Sequence, residues 1–68
     1  MNDNWIKIYV TNNYQKAQLI KMRLEENGIN TVDINKKDSM YLFGDIELYV
    51  DKINFSKAKD VIKEIENE

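Results

Sequence analysis

Three short runs of period-two alternation and two apolar stripes at helical spacing predict an α+β fold, with a three-stranded antiparallel sheet and two helices on one of its faces. The first run is Trp5-Ile6-Lys7-Ile8-Tyr9-Val10, in which the β-branched Ile6, Ile8 and Val10 alternate with Trp5, Lys7 and Tyr9. That pattern fits a half-buried strand. Thr11-Asn12-Asn13 end it, and Asn13 is placed to cap the helix that follows. From Tyr14 the period changes: Ala17, Ile20 and Leu24 recur at i, i+3 and i+7, with Tyr14 on the same flank, the spacing of one helical face. Gly28, after Glu25-Glu26-Asn27, suits the left-handed residue that stops a helix.

The second strand is weaker, with Val32 and Ile34 on one face and Thr31, Asp33 and Asn35 on the other. The third is the cleanest, with Ile46, Leu48 and Val50 alternating with Asp45, Glu47, Tyr49 and Asp51. Asn54 reads as the N-cap of a second helix, with Ile53 and Ala58 spaced as a hydrophobic staple. Phe55, Ala58, Val61, Ile62 and Ile65 form that helix's buried stripe, and Lys57, Lys59, Lys63, Glu64 and Glu66 its solvated side.

A strand-helix-strand unit crosses over right-handedly, and room for the third strand between the first two gives the sheet order 1-3-2. The expected architecture is thus ferredoxin-like, βαββα, with its fourth strand missing. Ala17, Ile20, Leu24, Phe55, Ile62, Ile6, Ile8, Leu48 and Val50 are expected to share one core. The open face should carry Trp5, Lys7 and Tyr9 beside Asp45, Glu47 and Tyr49, with Asp33 on the same face. The register expected there sets Trp5 opposite Tyr49 and Lys7 opposite Glu47, an aromatic pair and an ion pair. The missing strand leaves Trp5 to Val10 as an edge, and exposed edges are either covered or used for pairing.

Sixty-eight residues make one domain, 1–68, in the size range where a single core needs reinforcement. With no Cys and no His, neither a disulfide framework nor a usual zinc site is available, which leaves oligomerisation and the expectation of a weak homodimer. Met1 to Trp5 carry neither a basic nor an apolar leader. No later segment approaches the roughly 20 apolar residues of a membrane span, so a cytoplasmic location and no membrane partner are expected. A net charge of −2 supplies none of the positive field that nucleic-acid binding draws on.

The stretch from Asn35 to Gly44 is where a site is expected. Hairpin loops usually run about 2–5 residues, and longer ordered ones more often serve function. Asn35, Lys36, Lys37, Asp38, Ser39 and Gly44 would form a polar cradle for an anion, the lysines supplying charge and Ser39 and backbone amides the hydrogen bonds. In the plainer alternative, Asp38 and Ser39 cap their own turn, Gly44 supplies a positive φ and the lysines are solvated. Met40-Tyr41-Leu42-Phe43 demand burial, either against the helix ends or against a partner, since Met and aromatic residues also build interface cores. Tyr41 and Phe43 are the candidate partner contacts.

Trp5, Tyr9 and Tyr49 on the open face are the alternative site, similar in outline to base-stacking sheets. Phe43 to Val50 lack the basic lead residue and second aromatic of that motif, and Asp33 and Glu47 oppose it. Leu19 and Met22 are apolar positions off the first helix's stripe, of the kind that occur singly on surfaces. No enzyme is expected: His and Cys are absent, Ser39 and Ser56 have no evident base, and Asp38 and Asp45 suit turn and strand ends better than a metal site. No cofactor and no metal are expected.

The run Asn35 to Val50, the opening Trp5-Ile6-Lys7-Ile8-Tyr9 and the helix from Ala17 to Gly28 resemble the family of small bacterial proteins known as putative prokaryotic signal-transducing proteins. The resemblance spans Trp5 to Ile65 and implies a ferredoxin-like fold loosely comparable with PII regulators. PII proteins have a complete four-stranded sheet and a much longer loop between the second and third strands. Only the loop's position therefore carries over, and none of the nucleotide-binding residues. The combined expectation is a non-enzymatic regulatory or adaptor module that recognises an unknown protein partner or a small anionic ligand through 35–44. The alternative is a structural self-association module that pairs through the open sheet edge or face, without ligand.

Overall fold

The computed structural model describes residues 4–36 and 45–67. Strand β1 (Trp5–Thr11) is followed by helix α1 (Tyr14–Glu26), strands β2 (Thr31–Asn35) and β3 (Ile46–Asp51), a 3-10 turn (Lys52–Asn54) and helix α2 (Phe55–Glu66). The three strands make one sheet in the order β1-β3-β2, and β3 is antiparallel to both neighbours. The expected α+β, βαββα arrangement is therefore present.

The caps of α1 follow from its sequence. Asn13 Oδ1 accepts from the Lys16 amide at 3.0 Å. At the other end Gly28 takes φ +78°, the Gly28 amide donates to Glu25 O and the Ile29 amide to Leu24 O, each at 3.0 Å. That is the paired geometry of a Schellman ending, and the buried Ile29 and Leu24 supply its hydrophobic contact.

The start of α2 differs from expectation. Asn54 makes no side-chain capping bond, and Ile53 is 84% exposed, so the staple with Ala58 is not formed. Asp51 does the capping one turn earlier, its carboxylate accepting from the Ile53 amide at 3.0 Å, because the 3-10 turn moves the unpaired amides back to residue 53. Asp51→Ala is accordingly expected to cost about 1 kcal/mol and Asn54→Ala less than about 0.5 kcal/mol, as read from urea denaturation midpoints.

The register of β1 on β3 also differs. Trp5 faces Asp51, Ile6 faces Val50 and Lys7 faces Tyr49; then Tyr9, and not Ile8, faces Leu48, followed by Val10 on Glu47 and Thr11 on Ile46. Ile8 is thus the extra residue of a β-bulge. Directly paired residues share a face of the sheet, so the bulge turns Tyr9 to the helix side with Leu48 and sends Val10 to the open face, where it is 44% exposed. Both Ile8 and Tyr9 pack against the core. An alternating pattern cannot announce a bulge, because the inserted residue is itself β-branched and apolar.

On β2, Thr31, Asp33 and Asn35 pair with Val50, Leu48 and Ile46 and so lie on the helix side, while Val32 and Ile34 lie on the open face. This reverses the placement of Asp33. Ile29, just past the end of α1, occupies the apolar position that β2 would otherwise have to fill. Buried Thr31 donates its hydroxyl to Ile29 O at 3.1 Å, which removes the cost of an unpaired polar group.

The core comprises Ala17, Ile20, Leu24, Ile29, Ile46, Leu48, Val50, Ala58, Val61 and Ile62. Ile6, Ile8 and Phe55, expected within it, are only half-buried. Ile6 and Ile8 lie on the edge strand, beside which a fourth strand would have to sit to cover them.

Candidate functional site

The segment expected to carry the site springs from a closed stem. Asn35 pairs with Ile46, and the Lys36 amide donates to Asp45 O at 2.8 Å, extending the β2–β3 hairpin by one more bond. Of the candidate residues, Asn35 and Lys36 stand on this stem. Lys37, Asp38, Ser39, Tyr41, Phe43 and Gly44, with Met40 and Leu42, lie outside the described residues. Thr11 sits opposite Ile46, so the end of β1 and the turn into α1 share this end of the sheet.

From the stem the open face is organised around Glu47. The Tyr49 hydroxyl donates to Glu47 Oε1 at 2.8 Å, Lys7 Nζ lies 3.5 Å from Oε2 and Lys36 Nζ 4.0 Å from Oε1. The Tyr49 hydrogen bond foremost, then the two lysines, hold the Glu47 carboxyl below its ordinary range, and the same bond raises the Tyr49 phenol. Lys7 and Glu47 are thus joined diagonally rather than as direct cross-strand partners. Trp5, Val10, Val32 and Ile34 share this face of the sheet. Of the alternative aromatic set, Trp5 and Tyr49 share the open face, but Tyr9 does not, because the bulge has turned it inward.

Tyr9 instead belongs to a cluster at the C-terminal end of α2. Its hydroxyl donates to Glu66 Oε1 at 2.8 Å, Lys16 Nζ stands 3.4 Å from the same oxygen, and Lys16 lies 5.7 Å from the Tyr9 ring centroid. The Glu66 carboxyl is lowered, chiefly by the Tyr9 hydroxyl and then by Lys16. Periodicity gave no sign of this cluster, which joins β1 and the start of α1 to the far end of the chain on α2. The Thr11-Asn12-Asn13 turn, which returns the chain over β1, is what brings Lys16 above Tyr9.

A further ion pair ties α1 to β2: Lys21 Nζ to Asp33 Oδ1 at 2.7 Å. The Lys21 ammonium holds the Asp33 carboxyl below its usual value. The folded protein therefore takes up this proton at lower pH than the unfolded chain. The pair's contribution is complete above the ordinary carboxylate range and is lost as pH falls through the depressed folded value. Both groups are partly exposed, so the contribution is at most about 1 kcal/mol. Asp33→Asn should lower the urea midpoint near neutral pH, and the gap to the wild type should close on acidification; a gap that persists in acid would show that Asp33 acts through packing.

Among the described residues no helix is long and apolar enough to cross a membrane. No curated protein and no solved structure matches the chain. The family model described as "Putative prokaryotic signal transducing protein" matches residues 5–66, nearly the whole chain, and the protein belongs to that family.

Proposed function

We propose that the protein is a non-enzymatic, cytoplasmic regulatory or adaptor module that recognises a protein or a small anionic ligand through the segment from Asn35 to Gly44. The observation that carries this reading is the backbone bond from Lys36 to Asp45. Antiparallel strands so closed need only a two-residue turn, and the chain spends residues 37–44 there, among them Lys37, Ser39, Tyr41 and Phe43. The stem beneath is held by the Glu47 hydrogen bond and ion pairs, which suits a loop displayed on a rigid scaffold.

Tyr41→Ser with Phe43→Ser should abolish capture of a protein partner by the immobilised domain while leaving its circular dichroism and urea midpoint nearly unchanged. For an anionic ligand, titration with inorganic phosphate should shift the Asn35, Lys36 and Asp45 amides, and Lys36→Ala with Lys37→Ala should remove the response. Partner capture that survives the first double variant, with no phosphate response at the stem, would place recognition elsewhere.

A second reading, self-association through the open face, is favoured by the presence of Lys7 and Glu47 on one apolar-rimmed surface. Two copies related by a two-fold axis would exchange those ion pairs across the interface. Sedimentation that finds a monomer at every accessible concentration removes it.

A further inference from the structure

Of the asparagines in the chain, Asn27 is the one followed by glycine. That pair is reactive, because glycine has no Cβ to hinder the approach of its backbone nitrogen to the asparagine side chain. Once it has given its proton to a base in solvent, the Gly28 nitrogen attacks Asn27 Cγ. The N–Cγ bond forms, the Cγ–Nδ2 bond breaks and ammonia leaves, which gives a five-membered succinimide. Water then opens the ring at either carbonyl. Cleavage of the new N–Cγ bond leaves aspartate, and cleavage of the original peptide C–N bond leaves isoaspartate, whose main chain runs through Cβ and Cγ and is one atom longer.

In the folded protein both reacting groups are held by the ending of α1. The Gly28 amide donates to Glu25 O at 3.0 Å, and Asn27 Nδ2 donates to Arg23 O at 2.7 Å. The Asn27 carbonyl, which would become part of the ring, accepts from Lys57 Nζ of α2 at 2.9 Å. Asn27 keeps φ −93° and ψ 13°, and the attack requires a rotation about that ψ which the Schellman bonds prevent. A succinimide has neither the N–H nor the carboxamide. The ring therefore cannot form while these bonds stand. Asn27 and Gly28 are both exposed, so water and base reach them, and protection comes from geometry rather than burial. Leu24 and Ile29, on either side, are buried, so opening the ending also disturbs the core.

We propose that Asn27-Gly28 is a modification site closed by folding: Asn27 deamidates in chains whose α1 ending has opened, and the product hinders the ending from closing again. Either product puts a carboxylate where the carboxamide donated to Arg23 O. It stands at the negative end of α1, beside Glu25 and Glu26, and adds one negative charge to a net of −2. Isoaspartate does more. Its extra main-chain atom displaces the Gly28 and Ile29 amides from the carbonyls that close the helix. The domain thereby keeps a covalent record of having unfolded, independent of what the 35–44 segment binds.

The test holds the full chain in mildly alkaline buffer, with and without denaturing guanidinium chloride, and follows the tryptic peptide 24–36 by mass spectrometry, with isoaspartate resolved by chromatography. Conversion at Asn27 is expected in denaturant and should be slower by at least about tenfold in native buffer. Asn30 and Asn35 of the same peptide serve as internal references and should react far more slowly in denaturant. Lys57→Ala should quicken conversion in native buffer and leave the rate in denaturant unchanged, because it removes an anchor of the ending and not the reactive pair. Returned to native buffer, the isoaspartate chain should melt below the unmodified one, with Asn27→Asp between them. The proposal is overturned by equal rates with and without denaturant, by conversion in denaturant no faster at Asn27 than at Asn30 or Asn35, by a Lys57→Ala rate in native buffer equal to that of the wild type, or by an isoaspartate chain as stable as the unmodified one.

Discussion

Leu48→Ala is expected to cost about 2–5 kcal/mol, the range for truncating a fully buried leucine whose surroundings relax only in part. At about 0.05–0.15 kcal/mol per residue a chain of 68 residues holds about 3–10 kcal/mol, so the change removes a large part of the stability and should shift the urea midpoint strongly downward. Three features make the site severe. Leu48 is fully buried, it stands on the central strand between Tyr9 and Asp33, and both helices pack on the sheet, so no neighbour can close the gap without moving an element. Ile8→Ala should cost less, about 1 kcal/mol, because Ile8 is only half-buried on a strand that, among the described residues, has a neighbour on one side alone. Urea denaturation of the two variants tests the gradient. Equal losses would mean that Ile8 is packed as tightly as Leu48.

How far the sequence could be read depended on whether a feature was local. The α1 caps were legible because Asn13 and Gly28 each act on residues within one turn, and the sheet order followed from chirality and the order of elements. The faces of β1 and β2 were not. A period of two says which residues share a side but never which side is inward, and on β2 the polar side proved inward because Ile29 and Lys21 supply what Thr31 and Asp33 lack. On β1 the bulge changed the side halfway along, and no local signal distinguishes Ile8 as an inserted residue from Ile8 as a regular one. The site divides likewise. Its stem, Asn35 and Lys36, lies where the alternation placed the strand end, whereas the partnership of Glu47 with Tyr49, Lys7 and Lys36 needed the register. The Tyr9–Glu66–Lys16 cluster needed the whole fold.

Tyr9→Ala is expected to be the next most damaging change, at about 2–3 kcal/mol, chiefly through loss of a half-buried ring packed against the core, with a smaller part from its hydrogen bond to the exposed Glu66 carboxylate. The comparison that gives this number meaning is Tyr9→Phe. It keeps the ring against the core and removes only the hydroxyl, and should cost about 1 kcal/mol. If Tyr9 lay on the open face, as alternation without a bulge requires, both substitutions would be mild and Glu66 would be indifferent to them. Deleting Ile8 separates the two pictures further. With the bulge, the shortened strand pairs Ile6, Lys7, Tyr9, Val10 and Thr11 with the same β3 residues as before, and every side chain keeps its face. The deletion should then cost only the half-buried Ile8 side chain, about 1–2 kcal/mol, and leave the Tyr9–Glu66 coupling measurable by a double-mutant cycle. Without a bulge, deletion would reverse the faces of all residues on one side of the cut and the domain would not fold. A folded deletion variant that retains the coupling therefore establishes the register of β1, and with it which aromatic residues face outward.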